Sequence, residues 1–156
     1  MSKGLRRQGR ELALKAIYGL HEGDAEPASF LQEFWDNFRF RDDILGEPHD
    51  EPGANVPDEV RGFATDLVLG TLEHLPRIDQ VIAEFSTNWS LERMSRVDLS
   101  LLRMASYELL YKMEVPPSVA INEAIEIGKT YGTKDTPAFV NGILDKISRT
   151  HRQPSQ

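Results

Sequence analysis

The sequence predicts an all-α protein of about seven helices, and three observations support this. Apolar residues recur at spacings of three and four along most of the 156 residues, as they do on one face of an α-helix. No convincing alternation with a period of two indicates a strand. The connections between the periodic segments are short, except at residues 42–57. Short connections between amphipathic helices are typical of a compact bundle.

Three helices are predicted in the first half of the chain. They cover residues 4–21, 27–41 and 58–74. The first has an apolar stripe made of Leu5, Leu12, Ala16 and Leu20. The acidic segment 42–57 contains three prolines and two glycines, which exclude a helix there. The third helix is predicted to begin at Pro57, because proline suits the first helical position.

Four helices are predicted in the second half of the chain. They cover residues 77–86, 95–113, 118–131 and 136–150. Gly132 is a natural C-cap for the sixth helix, and Thr136 as a capping residue, followed by the first-turn proline Pro137, is typical of the start of the seventh. The sequence therefore predicts a single domain over residues 1–150, with a polar tail at 151–156 that frays.

The composition excludes several classes of protein. No run approaches the roughly 18 apolar residues of a membrane span, and no secretory signal precedes the first helix. The absence of cysteine excludes disulfides and thiolate metal sites. These features predict a cytoplasmic protein.

Positive charge is concentrated near the two ends of the chain, although the formal net charge is −7. Residues 1–15 carry a net charge of +4 and residues 129–156 carry +3, whereas residues 22–59 carry −10. A polyanion responds to the charges within about 8–10 Å at physiological salt. The net charge therefore does not exclude a nucleic-acid partner.

A basic edge is predicted on the first helix. At 100° per residue, four cations fall within an arc of roughly 100°, opposite the apolar stripe. They are Lys3, Arg6, Arg7 and Arg10. Tyr18 lies about 20° from Arg7 in this projection. Guanidinium groups suit phosphates and an aromatic ring suits an unstacked base, but a solvated helix face also accounts for the pattern.

The start of the seventh helix offers further candidates. The helical pattern alone places Phe139 in the core, together with Ile143 and Ile147. Asn141 lies two residues after Phe139 and therefore does not share its face. Lys134 belongs to a polar loop that we expect to be exposed. Two interpretations remain open for Asn141 and Lys134, a surface role and a binding role.

The sequence indicates no catalytic centre. Its four histidines are scattered, and no pair of them has metal-ligand spacing. Glu123 and Glu126 lack the histidine partners of a di-iron helix pair. The sequence therefore predicts no enzyme activity, no metal and no cofactor. Glycines at several helix positions are predicted to mark close packing, namely Gly62, Gly70, Gly128 and Gly142.

The fifth helix carries a group of polar and aromatic residues. They are Asp98, Arg103, Tyr107 and Glu108. A solvated face with a half-buried tyrosine explains this group. The alternative is a protein-binding surface, because tyrosine and arginine are favoured anchors at interfaces.

Several segments in fixed order carry a resemblance to a known family. They are Arg6-Arg7-x-x-Arg10-Glu11-x-Ala13-Leu14-x-Ala16-x-Tyr18, Ile78-Asp79, Trp89-Ser90-Leu91-Glu92-Arg93, Leu102-Arg103-Met104-Ala105-Ser106-Tyr107-Glu108-Leu109, Val115-Pro116, Val119-Ala120-Ile121-Asn122-Glu123-Ala124-Ile125-Glu126 and Phe139-Val140-Asn141-Gly142-Ile143-Leu144-Asp145. Over residues 5–147 this order resembles the NusB family of bacterial transcription antitermination factors.

The resemblance implies an all-α fold of two small helical subdomains. It implies binding of boxA RNA in ribosomal RNA leader transcripts, together with the small-subunit ribosomal protein NusE, in an RNA polymerase antitermination complex. The RNA surface would include Arg6, Arg7, Arg10, Tyr18, Phe139 and Asn141, with Lys3 added by proximity. The partner surface would include Asp98, Arg103, Tyr107 and Glu108. Phe139 is then expected to be partly exposed.

The basic segment of the first helix departs from the family pattern at two residues. Gln8 and Gly9 interrupt a run that is often more basic in the family. A glycine there weakens a helix by up to about 1 kcal/mol, so we expect the basic arm to become ordered only on binding. Two alternative functions stay open at this point, a helical protein-interaction module and a subunit associated with ribosomal RNA methylation.

Overall fold

The structure is a computed structural model, and it describes residues 1–20, 26–37 and 56–152. These residues form seven α-helices and one short 3-10 helix. They are α1 (Lys3–Gly19), α2 (Pro27–Asn37), α3 (Asp58–Glu73), α4 (Leu75–Phe85), the 3-10 helix (Leu91–Arg93), α5 (Arg96–Tyr111), α6 (Pro117–Tyr131) and α7 (Thr136–His151). The all-α prediction is confirmed.

The predicted helices differ from the observed ones mainly at their ends. Pro76 lies inside the first turn of α4, whereas we predicted that the helix would follow it. The α3 helix begins at Asp58, as the predicted range 58–74 has it, and the carbonyl of Pro57 just before it accepts the first hydrogen bonds. The 3-10 helix was not predicted. Most of the acidic segment, residues 42–55, lies outside the described residues, as do residues 38–41 of the second predicted helix.

The chain divides into two compact units, Met1–Leu72 and Glu73–Gln156. In the first unit, α1 is buried on nearly all sides between Gly9 and Ile17. The predicted stripe is therefore only part of its buried surface, because flanking residues such as Ala13 and Leu14 are also fully buried. A helix buried all round is typical of the centre of a packed unit.

Gly9 allows α1 to pack closely against α3. A Cβ atom at this position would lie 2.5 Å from Cδ2 of Phe63, so any larger side chain would displace the ring. The helix continues without interruption through Gly9. Our expectation that the N-terminal arm becomes ordered only on binding stays a prediction, and the close packing of Phe63 on Gly9 is a contact that would oppose it by favouring the helix.

Side chains also fix α2 in the first unit. The backbone N–H groups of Ala28 and Ser29 donate to the carboxylate of Glu26, which caps the helix and lowers the pKa of that carboxyl group. The indole N–H of Trp35 donates to Thr65 Oγ1 at 3.2 Å, joining α2 to α3. Arg61 lies over the Trp35 ring, 5.2 Å from its centroid.

The second unit contains α4 to α7, in which α5, α6 and α7 all pack against one another. Its core consists of aliphatic side chains from all four helices. The most completely buried of these include Ile78, Ile82, Leu101, Leu102, Leu109, Ile127, Leu144 and Ile147. This core supports the loop between α6 and α7, where the candidate site residue Lys134 is located, and the start of α7, which carries Phe139 and Asn141.

Thr136 organises the junction of α6 and α7. Its buried hydroxyl accepts a hydrogen bond from the backbone of Thr133 at 3.0 Å and donates to Asp98 Oδ1 at 2.7 Å. The residue is the first of α7, preceded by Asp135 as N-cap, rather than the cap that we predicted.

Gly128 in α6 and Gly132 just after the helix make room for the Thr136 side chain. A Cβ at Gly132 would lie 2.7 Å from Thr136 Cγ2, and one at Gly128 would lie 3.0 Å from the same atom. Close packing is thus confirmed at Gly128, but a Cβ at Gly62 or Gly142 would meet nothing within 4 Å. At those two positions the predicted packing role is wrong.

Arg152 orders the chain beyond the point where we expected fraying. Its guanidinium donates to the carbonyls of Leu109 (3.0 Å), Met113 (3.3 Å) and Val115. The Leu109 carbonyl lies in the last turn of α5 and the other two lie just beyond it, so Arg152 supplies donors that the helix end lacks. Residues 153–156 of the predicted tail lie outside the described residues.

In the part of the chain that the structure describes, no helix combines the length and apolar character that a bilayer crossing requires.

Candidate nucleic-acid interface

The predicted basic edge is exposed only over the first turns of α1. Lys3 and Arg6 are exposed and Arg7 is partly buried, but Arg10 retains only 2% of its accessible surface. The expectation that Arg10 lies on an exposed edge is therefore wrong. The cause is α3, because the Arg10 guanidinium lies over the Phe63 ring, 5.4 Å from its centroid.

The start of α1 adds to the positive potential of these cations. Ser2 caps the helix by accepting a hydrogen bond from the Leu5 N–H at 3.2 Å, and no acidic residue lies in the first turn. The N-terminal end of a helix macrodipole carries a partial positive charge, which favours anions. Lys3 and Arg7 also line a surface depression of about 340 Å³ along these turns, with Gly4, Gln8 and Glu11.

Tyr18 lies on the same side of α1 as the basic residues but further along the axis. Tyr18 is eleven positions after Arg7, which corresponds to about 16 Å at 1.5 Å per residue. The side chain is partly buried and contacts other groups of the protein. A ligand that touches both Arg7 and Tyr18 must therefore extend along about three helical turns.

The remaining candidates for RNA contact lie in the second unit. Lys134 and Asn141 are exposed, and Phe139 is partly exposed. The core position that the helical pattern assigned to Phe139 is therefore wrong, whereas the partial exposure implied by the family resemblance is confirmed. The periodic pattern failed because Phe139 lies in the first turn of α7, beside the loop that follows α6.

Phe139 borders a cleft of about 270 Å³ that helical periodicity did not reveal. The residues that line it are Trp89, Arg93, Met94, Ser95, Asp98, Thr133, Asp135 and Phe139. The cleft brings together Phe139, a candidate for RNA contact, and Asp98, a candidate for partner contact. Lys134 lies between two lining residues, and Asn141 does not line the cleft.

Trp89 is the most exposed aromatic group at this cleft, with 46% of its surface accessible. Its ring meets the edge of Phe139, with centroids 6.2 Å apart and planes at 79°. Arg93 lies over the indole, 5.2 Å from the ring centroid. The signals in the sequence were a tryptophan between polar residues, followed four residues later by an arginine, and the place of this segment in the family resemblance, which assigned it no role.

Local hydrogen bonds hold Trp89 in place. The backbone N–H of Trp89 donates to the Ser86 carbonyl at 2.9 Å, and the Ser86 hydroxyl donates to the Trp89 carbonyl at 3.1 Å. The 3-10 helix that follows places Arg93 one turn further, with its N–H bonded to the Ser90 carbonyl. The tryptophan is thus presented by a defined turn.

The candidate partner residues on α5 are less accessible than the sequence suggested. Arg103 forms a bidentate ion pair with Asp79, with both N–H···O distances at 2.8 Å. Tyr107 and Glu108 retain 8% and 1% of their accessible surface. The expected solvated face is therefore wrong at these two positions, because α5 packs against α4, α6 and α7.

Aromatic stacking extends the Tyr107 region towards the surface. His74 stacks on Tyr111 with a centroid separation of 3.9 Å, and Tyr107 stacks on Tyr111 at 5.7 Å. The imidazole of His74 retains 34% of its surface. Both His74 and Tyr111 are thus more accessible than Tyr107 or Glu108.

Comparison with known proteins gives a consistent result. A model of the NusB family matches residues 7–149. The chain is 62% identical over 152 residues to the transcription antitermination protein NusB of Syntrophotalea carbinolica, covering 97% of each chain. A structure of NusB from T. maritima is 36% identical, has a TM-score of 0.74, and is matched over 94% of this chain and 92% of its own.

A further structure contains antitermination factors NusB and NusE in complex with double-stranded RNA. It is 20% identical to this chain with a TM-score of 0.76, covering 96% of this chain and 99% of the matched one. This second structural likeness concerns the fold alone.

Proposed function

This chain belongs to the NusB family, and we propose that it acts without catalysis as an RNA-binding antitermination factor in the cytoplasm. It binds single-stranded boxA-like RNA of ribosomal leader transcripts together with the ribosomal protein NusE. The complex joins RNA polymerase and suppresses termination. The observation that carries the RNA proposal is the group of accessible cations on the first turns of α1, in a protein whose formal net charge is −7.

Lys3, Arg6 and Arg7 neutralise phosphates of the RNA. Each phosphate contact releases counterions, which gives affinity that depends on salt and is largely independent of base sequence. Arg10 is assigned a supporting role, since its guanidinium packs on Phe63. The base contacts come from Tyr18, Lys134, Phe139 and Asn141, which meet unpaired bases or their sugars.

Salt-dependent RNA binding distinguishes residues that touch phosphate from supporting ones. Removal of one such residue should flatten the slope of log K against log salt by about 0.7 for a single strand. We expect this change for Arg6→Ala and Arg7→Ala, measured by fluorescence anisotropy with a boxA-like single strand. For Arg10→Ala we expect a lower melting temperature and little change in slope.

Lys146→Ala is the matched control, because it removes an exposed cation from the middle of α7. Unchanged slopes for both Arg6→Ala and Arg7→Ala would reject α1 as the phosphate-binding surface. The same RNA annealed to its complement tests strand preference. Equal affinity for the duplex would contradict binding to single strands.

NusE is the proposed protein partner, supported by the assembly of NusB with NusE in the structural relative. Asp98, Arg103, Tyr107 and Glu108 form the proposed surface, with Tyr107 and Glu108 shaping it from below. Isothermal titration of purified NusE should show weaker binding by Arg103→Gln and Asp98→Asn. Unchanged affinity in both folded variants would place the partner elsewhere.

The alternatives give different results in the same assays. A pure protein-interaction module would bind NusE but would not bind RNA at any salt concentration. A subunit associated with ribosomal RNA methylation would bind a methyltransferase and show no preference for boxA-like RNA.

A further inference from the structure

We propose that the cleft beside Trp89 holds one unstacked base of the bound RNA and prefers a base that presents amino or ring N–H donors. This inference rests on the proposed RNA-binding function and assigns to Trp89, Arg93 and Asp135 roles that the family resemblance did not give them. The occupant is a nucleobase rather than a phosphate or a protein side chain.

The shape of the cleft suits a flat ring. Its walls include the half-exposed indole of Trp89 and the ring of Phe139, which meets that indole nearly at a right angle. A planar group that stacks on one ring therefore has its edge directed at the other. Stacking on aromatic side chains is the general means by which proteins hold unpaired bases.

Arg93 already takes the position over Trp89 that a cationic side chain would need for stacking. Its guanidinium lies over the indole, 5.2 Å from the centroid. A lysine or arginine from a protein partner would have to displace it to stack on the same ring. A neutral base gains from a guanidinium plane nearby.

The carboxylates of Asp98 and Asp135 make a phosphate an unfavourable occupant. Both residues line the cleft, and with Arg93 they give the lining a formal charge of −1. Carboxylates accept hydrogen bonds and cannot donate them when ionised. They therefore favour an occupant whose edge carries N–H donors, and the exocyclic amino group of guanine, adenine and cytosine, which uracil lacks, offers two of them.

The carboxylates of Asp98 and Asp135 differ in their hydrogen bonds to the start of α7. The Thr136 hydroxyl donates to Asp98 Oδ1 at 2.7 Å, which orients that carboxylate. Asp135 is exposed and its side chain makes no capping hydrogen bond to α7. Asp135 is thus the carboxylate that is accessible to a base edge.

A cycle of protein and RNA changes tests the proposal. The probe is a boxA-like single strand in which one base at a time is replaced by an abasic site. One abasic position should weaken binding to the natural protein by about 5- to 150-fold, the range for loss of one stacked base. Trp89→Ala should weaken binding of the intact RNA similarly and should be insensitive to that abasic position.

Controls separate stacking from other effects. Trp89→Phe should retain most of the affinity, since a ring remains. Met113→Ala removes another exposed apolar side chain of the same unit and should change nothing. The salt slope of Trp89→Ala should equal that of the natural protein, because no phosphate contact is removed.

Asp135→Asn tests the preference for donors. At the position identified by the abasic scan, the natural protein should bind the natural base better than an analogue without its amino group. Asp135→Asn should reduce this preference, since an amide presents both a donor and an acceptor.

The possible failures are distinguishable. If the natural protein does not bind RNA, the proposed function fails and this inference falls with it. If it binds RNA and Trp89→Ala binds equally well, only the base-binding cleft is rejected. If Trp89→Ala loses affinity for NusE but not for RNA, the cleft belongs to the protein interface and the inference is overturned.

Discussion

Two residues at the junction of α6 and α7, Gly132 and Thr136, determine the conformation of the loop before α7. Gly132 adopts an extended conformation with φ of −98°, which any residue can reach. Glycine is needed there because the buried Thr136 side chain occupies the space of a Cβ atom. Thr136 cannot move without losing its bond to Asp98. Space rather than backbone angle therefore requires this glycine.

We expect Gly132→Ala to destabilise the protein by about 1–3 kcal/mol, the usual cost of overpacking a filled site. Gly142→Ala is the control, because it adds a methyl group to an exposed position in α7 with nothing within 4 Å. The control should stabilise the protein by about 0.5–1 kcal/mol, since alanine favours a helix more than glycine. Urea denaturation measures both. An unchanged midpoint for Gly132→Ala would contradict the argument.

The pair of Asp79 and Arg103 should be energetically coupled. Its two hydrogen bonds are short, and the side chains retain only 25% and 17% of their surface. A double-mutant cycle with Asp79→Asn and Arg103→Gln should give a coupling free energy of about 1–3 kcal/mol.

The exposed pair of Asp145 and Arg149 on α7 provides the comparison. These side chains retain 44% and 75% of their surface, and the N···O distance is 3.0 Å. An exposed pair four residues apart on a helix contributes about 0.3–0.5 kcal/mol. Equal coupling free energies in the two cycles would show that the ion pair between Asp79 of α4 and Arg103 of α5 is not protected from solvent.

At the scale of elements, the positions of the helices were predicted well, but the faces that each helix buries were predicted less well. The repeat of apolar residues and the turn residues between helices are local signals, so all seven α-helices were found. The 3-10 helix escaped prediction because three residues are too short for a periodic pattern. On α1, the pattern identified one apolar stripe, but packing buried residues on other sides as well, including Arg10 and Lys15.

The C-terminal end of α5 depends on Arg152. Arg152→Met retains much of the aliphatic stem but removes the donors to three carbonyl groups, which should cost about 1–3 kcal/mol. Thermal unfolding followed by circular dichroism measures the loss. Arg149→Met is the control and should cost no more than about 0.5 kcal/mol, because its side chain is exposed. Equal melting temperatures for the two variants would refute the capping role.

At the scale of the whole molecule, the separation of charge matters more than its sum. The cations proposed to meet RNA lie in the first turns of α1, whereas residues 22–59 carry a net charge of −10. Charges of the same sign as the RNA slow its approach over distances of about one Debye length. The acidic segment 42–57 is therefore expected to reduce the rate of RNA association.

Replacement of five acids in this segment by their amides tests this expectation. The positions are Asp42, Asp43, Glu47, Asp50 and Glu51, and the change takes the formal net charge from −7 to −2. Stopped-flow measurements should show severalfold faster association with RNA at low salt and convergence with the natural protein at high salt. Exchange of Asp and Glu at the same positions keeps the charge and should leave the rate unchanged. Identical rates at low salt would contradict steering by this segment.

The sequence by itself determined the all-α class, the position of each α-helix and the charge of the first turns, because these follow from neighbours within a few residues. The tertiary structure decided which side chains remain accessible. Arg10 is covered by Phe63, 53 positions away, and Trp89 meets Phe139, 50 positions away. Such contacts depend on which helices pack together, and helical periodicity carries no information about the partner that covers a face.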